Sequence, residues 1–362
     1  MGDTASTRRD DAAAVAARSD VPRPNLAAVA ALAGVSPSTA SLAFSGAGPV
    51  SAATKAKVLA AAEQLDYAGP DPRAQSLRRG RSGIVGVVIE DRLADAFRDP
   101  MNIAMLDGIA DVTGTAGLAL LLLTDTGGAA DIAVAPMDAV VLIGCSTRLD
   151  QSVVTLRQRG MPIVAIEAEH MPGVVPIDLD NFEATALGAR HLRDLGHERV
   201  ALVTLPLGPS HDRGPLTPEW EAQSSAFTAT ERIRGARAVF PDAGGVVAAG
   251  SFVEEGEIAG RALLSTPDRP TAVIAQSDLL AVGVIRAAKA LGLRVPEDLS
   301  VLGFDGVRVD GLVLTTLLQP AVDKGRAAGR AILASLAGEP ALPASLTSEL
   351  RLGATTGPAP VR

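Results

Sequence analysis

From Ile84 onward the chain alternates short apolar runs rich in Val, Ile and Leu with amphipathic stretches long enough for helices. The first series has apolar runs at 84–89, 118–123, 139–143 and 163–166, with helical segments near 101–113 and 150–159. The second has runs at 200–204, 246–249, 272–275 and 299–303, with helices near 182–195, 226–239, 254–264 and 278–291. Strands that are apolar on both faces and separated by crossover helices belong in parallel sheets covered on both sides. Two such series predict two similar α/β lobes. Leu314 to Gln319 and a helix over 321–336 are expected to make the last crossing between them.

Several function classes fall away. A single cysteine, Cys145, excludes an internal disulfide framework and a cysteine-cluster metal site. The four histidines, at 170, 191, 197 and 211, have neither HxxxH nor HExxH spacing. There is no Walker A motif, no GxGxxG after a strand and no nucleophile elbow, so neither an enzyme nor a bound cofactor is expected. Apolar runs such as Leu118 to Leu123 fall far short of the ~18 residues of a membrane helix, and no membrane role is expected. Arg8-Arg9 precedes an apolar stretch, 12–17, too short for an export signal. Residues 1–22 are read as a disordered tail and the protein as cytoplasmic.

Charge divides the chain. Residues 23–83 hold seven Lys/Arg against three Asp/Glu, while the whole protein carries −8. A basic module on an acidic body points to a polyanion partner for the module alone. That module reads as three short helices. Asn25 is an N-cap candidate, Gly34-Val35-Ser36 a tight turn, Ser36 the cap of a second helix with Pro37 at its first position, and Ser51 the cap of a third. The span 26–44, LAAVAALAGVSPSTASLAF, has the form of a helix-turn-helix, whose second helix fits a major groove. Ser36, Ser38, Thr39 and Ser41 can donate to phosphates or base edges, and Lys55 and Lys57 can meet the backbone. An ordinary three-helix packing unit is the plainer alternative. Gly69-Pro70-Asp71-Pro72 then breaks structure before the basic stretch Arg73 to Arg81.

The stretches VAALAGVSPSTAS, GPVSAATKAKVLAAAEQLDY and RAQSLRRGRS resemble the DNA-binding headpiece of the lactose-repressor (LacI/GalR) family. The resemblance continues through ARHLRDLGHERVAL at 189–202, AQSDLLAVGVIRAAKALGLRVPEDLSVLGFDG at 275–306 and LTTLLQPAVDKGRAAGRAIL at 314–333. It implies a homodimeric, effector-controlled transcriptional regulator, a repressor by expectation. Its partners would be double-stranded operator DNA and a sugar-like small molecule. The implied fold is a small all-α helix-turn-helix headpiece before a two-lobed α/β effector domain like the periplasmic binding proteins, with parallel sheets flanked by helices. The expected divisions are a tail at 1–22, the headpiece at 23–68, a hinge at 69–83 and the effector and dimerisation domain at 84–362. Within the last, one lobe takes 84–179 and 309–336, the other 180–308 and 337–362.

By position, Pro37 and Ser38 begin the recognition helix, with Ser41 and Leu42 further along. The family usually has Arg at the position of Leu42 and Asn at that of Ser45. In the hinge, Leu77 matches a leucine that wedges into the minor groove, with Ala74 its small neighbour and Arg78 beside phosphates.

Ligands of open parallel sheets sit beyond the carboxyl ends of the strands. Glu167, Asp278, Arg232 and Gln319 meet this rule and match the family pattern, with Phe97 and Asp99 from the first lobe and Phe304 and Asp305 from the second. Each has a structural alternative: Asp278 as a helix cap, Arg232 in a surface pair, Phe304 in the core. His191 and His197 read as structural. Gly208 to Ser225 reads as a surface insertion or lid. A solute-binding receptor without DNA function is the competing class, and would need an export signal.

Overall fold

The computed structural model describes residues 24–46, 48–70, 76, 80–89, 93–124, 132, 134–144, 150–309 and 311–361. Two compact units divide at Ser82 and Gly83.

The first unit is built on helices α1 (Leu26–Ala33), α2 (Pro37–Ser45) and α3 (Ala52–Gln64). Side-chain caps start each one: Asn25, Ser36 and Ser51 accept from the backbone N–H of Ala28, Thr39 and Thr54. Gly34 ends α1 at φ 66°, a left-handed conformation open to glycine at little cost, and so turns the chain sharply into α2. Val29, Ala30, Ala40, Ala43, Val58, Ala61 and Ala62 form the small core. Phe44 and Tyr67 close one edge with an edge-to-face contact at 5.7 Å.

The second unit holds β1 (Ile84–Ile89), α4 (Leu93–Ala96), α5 (Pro100–Thr113), β2 (Ala119–Thr124), β3 (Ala139–Ile143), α6 (Asp150–Gln158), β4 (Ile163–Ile166) and β5 (Val175–Leu179). It continues with α7 (Asn181–Asp194), β6 (Val200–Thr204), β7 (Gly214–Pro215), α8 (Pro218–Ala222), α9 (Phe227–Arg237), β8 (Gly245–Val247) and α10 (Val253–Leu264). The last elements are β9 (Ala272–Ala275), α11 (Asp278–Ala290), β10 (Ser300–Asp305), β11 (Thr315–Leu318), α12 (Ala321–Ala337), β12 (Ala344–Leu346) and β13 (Glu349–Arg351).

Two sheets result. The first, in the order β12-β5-β4-β3-β1-β2, is parallel throughout. The second, β13-β11-β10-β9-β6-β8-β7, is parallel except for its antiparallel edge strands β13 and β7. The buried faces of β1, β3, β4 and β5 pack with α5 and α12 in one core, and β6, β9 and β10 anchor two more around the second sheet.

The chain passes between sheets three times, after β5, after β11 and after β12. Asp180 ties two crossings together, its Oδ1 accepting from Ser348 N (2.8 Å) and Oγ (2.9 Å). The second and third crossings differ from the expected divisions at 309 and 337. Residues 315–318 remain in the second sheet, where Thr315 to Leu318 pair with Leu302 to Asp305. Residues 344–346 return to the first sheet, beside Ile177 to Leu179. At the first of these places the apolar run 314–319 is a strand of the second sheet before it crosses, and at the second the three-residue strand β12 escapes the sequence reading.

The segment 208–225 is also more than a loop. It supplies edge strand β7 and helix α8, whose Trp220 packs against the second-lobe core.

Candidate functional site

A cleft with a cavity volume of about 220 Å³ opens beyond the carboxyl ends of both sheets. At its centre is a buried polar cluster. Glu167 follows β4, Arg232 lies on α9, Asp305 ends β10, Gln319 follows β11 and Lys324 lies on α12. All five are at most 8% exposed.

Arg232 is fixed from three sides. Its Nε donates to Asn181 Oδ1 at 2.8 Å, and Nη1 donates to the carbonyl of Gln276 at 2.5 Å. Its guanidinium lies over the Phe304 ring, 3.5 Å from the centroid. Glu167 Oε1 and Asp305 Oδ1 stand 3.8 and 3.9 Å from its terminal nitrogens. Lys324 Nζ donates to Glu167 Oε2 and to Gln319 Oε1. The amide of Gln319 donates to Asp305 Oδ1 at 2.6 Å, and that of Asn181 to Glu167 Oε1 at 2.8 Å. The cluster is therefore one connected network, in which each buried charge has a partner of opposite sign.

The electrostatics follow from this packing. Burial pushes the Glu167 carboxyl up, but Lys324 and Arg232 beside it prevail and hold it below the usual glutamate value. Asp305 goes the other way. Burial, reinforced by Asp278 and Asp99, raises it well above the usual aspartate value despite Arg232. Glu167 (φ 54°) and Asp305 (φ 118°) both have left-handed backbones, a cost of about 1–3 kcal/mol each that a tightly packed surround has to hold.

The expected site residues separate into two groups. Asp99, Glu167, Arg232, Asp305 and Gln319 line the cleft. Asp99 also caps α5, accepting from Met101 N at 2.9 Å. Phe97, Asp278 and Phe304 are not among the described lining residues. Phe97 is half exposed. Its neighbour Arg98 bridges instead to Glu254 and lies 4.5 Å over Phe252. Phe304 supports Arg232 from behind. Asp278 is fully buried and receives Thr316 Oγ1 at 2.6 Å and Val307 N at 2.7 Å. It does not cap α11, because the preceding Ser277 does, accepting from Leu280 N at 3.1 Å.

Lys324, Asn181 and Gln276 escaped the sequence reading. Lys324 alone had a visible signal: it falls on the face of α12 formed by Ala321, Gly325, Ala328 and Ala331, where a charge is out of place unless it has a buried partner. His191 and His197 are structural. His197 bonds to Thr271, Ser300 and the carbonyl of Gly357, and His191 to Thr356, which tie down the carboxyl-terminal segment.

In the first unit, Ser36 Oγ is within 2.8 Å of both Ser38 Oγ and Thr39 Oγ1 at the start of α2. Ser36, Pro37, Ser38 and Leu42 are exposed, Thr39 and Ser41 are half-buried, and Lys55 is exposed on α3. Helix α2 carries no charged side chain. The expected hinge contacts Ala74, Leu77 and Arg78 lie outside the described residues.

Comparisons with known proteins agree with this architecture. Residues 25–69 match the family described as bacterial regulatory proteins, lacI family, and residues 189–356 match the periplasmic binding protein-like domain. The HTH-type transcriptional regulator IpsA of Corynebacterium glutamicum is 31% identical over 353 residues, which cover 92% of this chain and 97% of that protein. Among solved structures, a LacI-family regulator from Corynebacterium glutamicum has a TM-score of 0.69 at 28% identity, covering 91% of this chain and 98% of its own. The regulator CelR, solved as a complex with cellobiose, has a TM-score of 0.64 at 26% identity, covering 92% of this chain and 100% of its own. Similarity at this level over nearly the whole of that regulator shows that the chain belongs to the LacI family of helix-turn-helix transcriptional regulators.

Proposed function

We propose that this regulator is a homodimeric repressor whose hold on a pseudo-palindromic operator is set by a sugar-like molecule in the cleft. The observation that carries the reading is the buried network of Glu167, Arg232, Asp305, Gln319 and Lys324, which presents fixed donors and acceptors beyond the strand ends of both sheets. Vicinal hydroxyls both donate and accept, so they suit a surface of alternating carboxylate and cation. CelR, a relative of the same fold, has been solved with a disaccharide bound.

On the DNA side, α2 enters the major groove. Ser36, Pro37, Ser38, Thr39, Ser41 and Leu42 face the duplex, and Lys55 meets the backbone. Leu77 acts as the minor-groove wedge, with Ala74 as its small neighbour and Arg78 beside the phosphates. Since α2 offers hydroxyls and one exposed leucine but no arginine, its base readout lacks the bidentate guanine contact, worth ~1–3 kcal/mol of discrimination. The protein acts in the cytoplasm and performs no catalysis. Among the described residues no single helix is long and apolar enough to cross a membrane.

Deleting residues 1–83 tests the division of labour. The remaining unit is expected to lose duplex binding in mobility-shift assays on the gene's own upstream region and to keep its ligand-dependent rise in melting temperature. Operator binding by the truncated protein would refute the assignment.

A further inference from the structure

With α2 taken to lie in the major groove as proposed above, we infer that Leu42 is a specificity-determining residue. It reads a thymine through the 5-methyl group, at the same position in each half of the operator.

Beyond Pro37, the exposed residues of α2 are Ser38, Leu42 and Ser45. Their spacing, i, i+4 and i+7, puts them in one stripe along the helix with the leucine at its centre. Both ends of the stripe are turned back on the chain. Ser38 Oγ is 2.8 Å from Ser36 Oγ, which also accepts from the backbone N–H of Thr39. Ser45 Oγ donates to the carbonyl of Leu42 at 3.4 Å. Ser41 is half-buried, and a lone hydroxyl bonds to donors and acceptors alike, so it discriminates little between bases. No charged side chain stands on α2. Lys55 and Lys57 are exposed on α3, where they suit phosphates, and phosphate contacts set position without reading sequence. The centre of the outward stripe is therefore apolar.

Leu42 is also held in place. A Cβ on Gly48 would stand 3.0 Å from Leu42 Cδ2 and 3.3 Å from Cδ1, so the leucine lies over bare backbone in the loop that follows α2. With one side seated there, 38% of the residue stays open to a partner. The four bases offer that open side different surfaces in the major groove. Guanine presents N7 and O6, adenine N7 and an amine, and cytosine an amine, none of which a leucine can satisfy. Pressing it against them removes water without replacing the lost hydrogen bond. Thymine alone adds a carbon, its 5-methyl, and burying one methyl strengthens binding roughly fourfold. Leu42 thus selects thymine twice over, by gaining with it and by losing with its competitors.

The test selects preferred duplexes from a random-sequence pool with the full-length native protein, Leu42→Ala and Leu42→Met. The expected result is a symmetric pair of positions at which the native protein and Leu42→Met select thymine and Leu42→Ala selects no base. Replacing that thymine by deoxyuridine removes the methyl and leaves the hydrogen-bonding edge intact. In fluorescence anisotropy the replacement should weaken native binding at least about threefold per half-site and change Leu42→Ala binding by less than about twofold. Native selection of guanine or cytosine at the position sensitive to Leu42, or the same base preferences in Leu42→Ala as in the native protein, overturns the inference and leaves operator binding standing. So does a native protein that binds deoxyuridine as tightly as thymine at every thymine of its selected site, an arm that needs no variant to fold. A native protein that selects no common sequence overturns the operator reading and the inference together.

Discussion

Asp278 behaves as a buried acid within the fold rather than as a ligand contact. Burial pushes its carboxyl up to about 6, against the pull of Thr316, Val307 and Gly306, which donate to it. A folded-state value above the ordinary 3.8 means that the folded protein holds the proton more tightly than the unfolded chain does. The associated stability is complete below about pH 4 and is lost as the pH rises through about 6, to a total of at most about 3 kcal/mol. Urea unfolding of the native protein and of Asp278→Asn across that window should therefore give profiles that diverge, the native protein losing more stability as pH rises. Parallel profiles would show that Asp278 ionises in the fold without cost. At this scale the sequence is legible only where a residue's position marks its role. Arg232 and Glu167 could be placed by rule and resemblance, and both reach the cleft. Asp278 satisfied the same rule and does not, because rotation of its side chain into the β10–β11 layer cannot be read from its place in the chain. Lys324 stands on a small apolar face that marks it as out of place, but the sequence does not name its partner, because Glu167 is brought up against it only by the packing of α12 on β4.

The crossing of α5 and α12 shows how elements set the site. Gly108 and Gly325 let the two helices meet backbone to backbone, and a Cβ on Gly325 would stand 2.1 Å from the carbonyl of Met105. That approach carries Met105 and Lys324, one on each helix, to the same cleft. Gly325→Ala should lower stability by about 1–3 kcal/mol, because overpacking outweighs the ~1 kcal/mol that alanine gains in helix propensity. A denaturation midpoint equal to or above that of the native protein would contradict the close approach. The long apolar strands were readable because both faces are buried. Strand β5 was not, since Pro176 and Asp178 interrupt its pattern, and β12 and β13 are three residues each. These short strands are what fix the points at which the chain changes lobe.

Across the molecule, a basic helix-turn-helix unit precedes an acidic two-sheet body, and the cleft of that body is threaded by the crossing after β11. A ligand that favours one arrangement of the lobes can change DNA affinity only by the factor by which DNA changes its own. The direct measurement is fluorescence anisotropy of the full-length protein on an operator duplex selected from its own upstream region, with and without a saturating cleft ligand, alongside ligand titration with and without that duplex. The account predicts an operator affinity shifted at least about tenfold by ligand, the same factor in the reciprocal experiment, and loss of both effects in Arg232→Met. An operator affinity that stays constant while the cleft fills would contradict it.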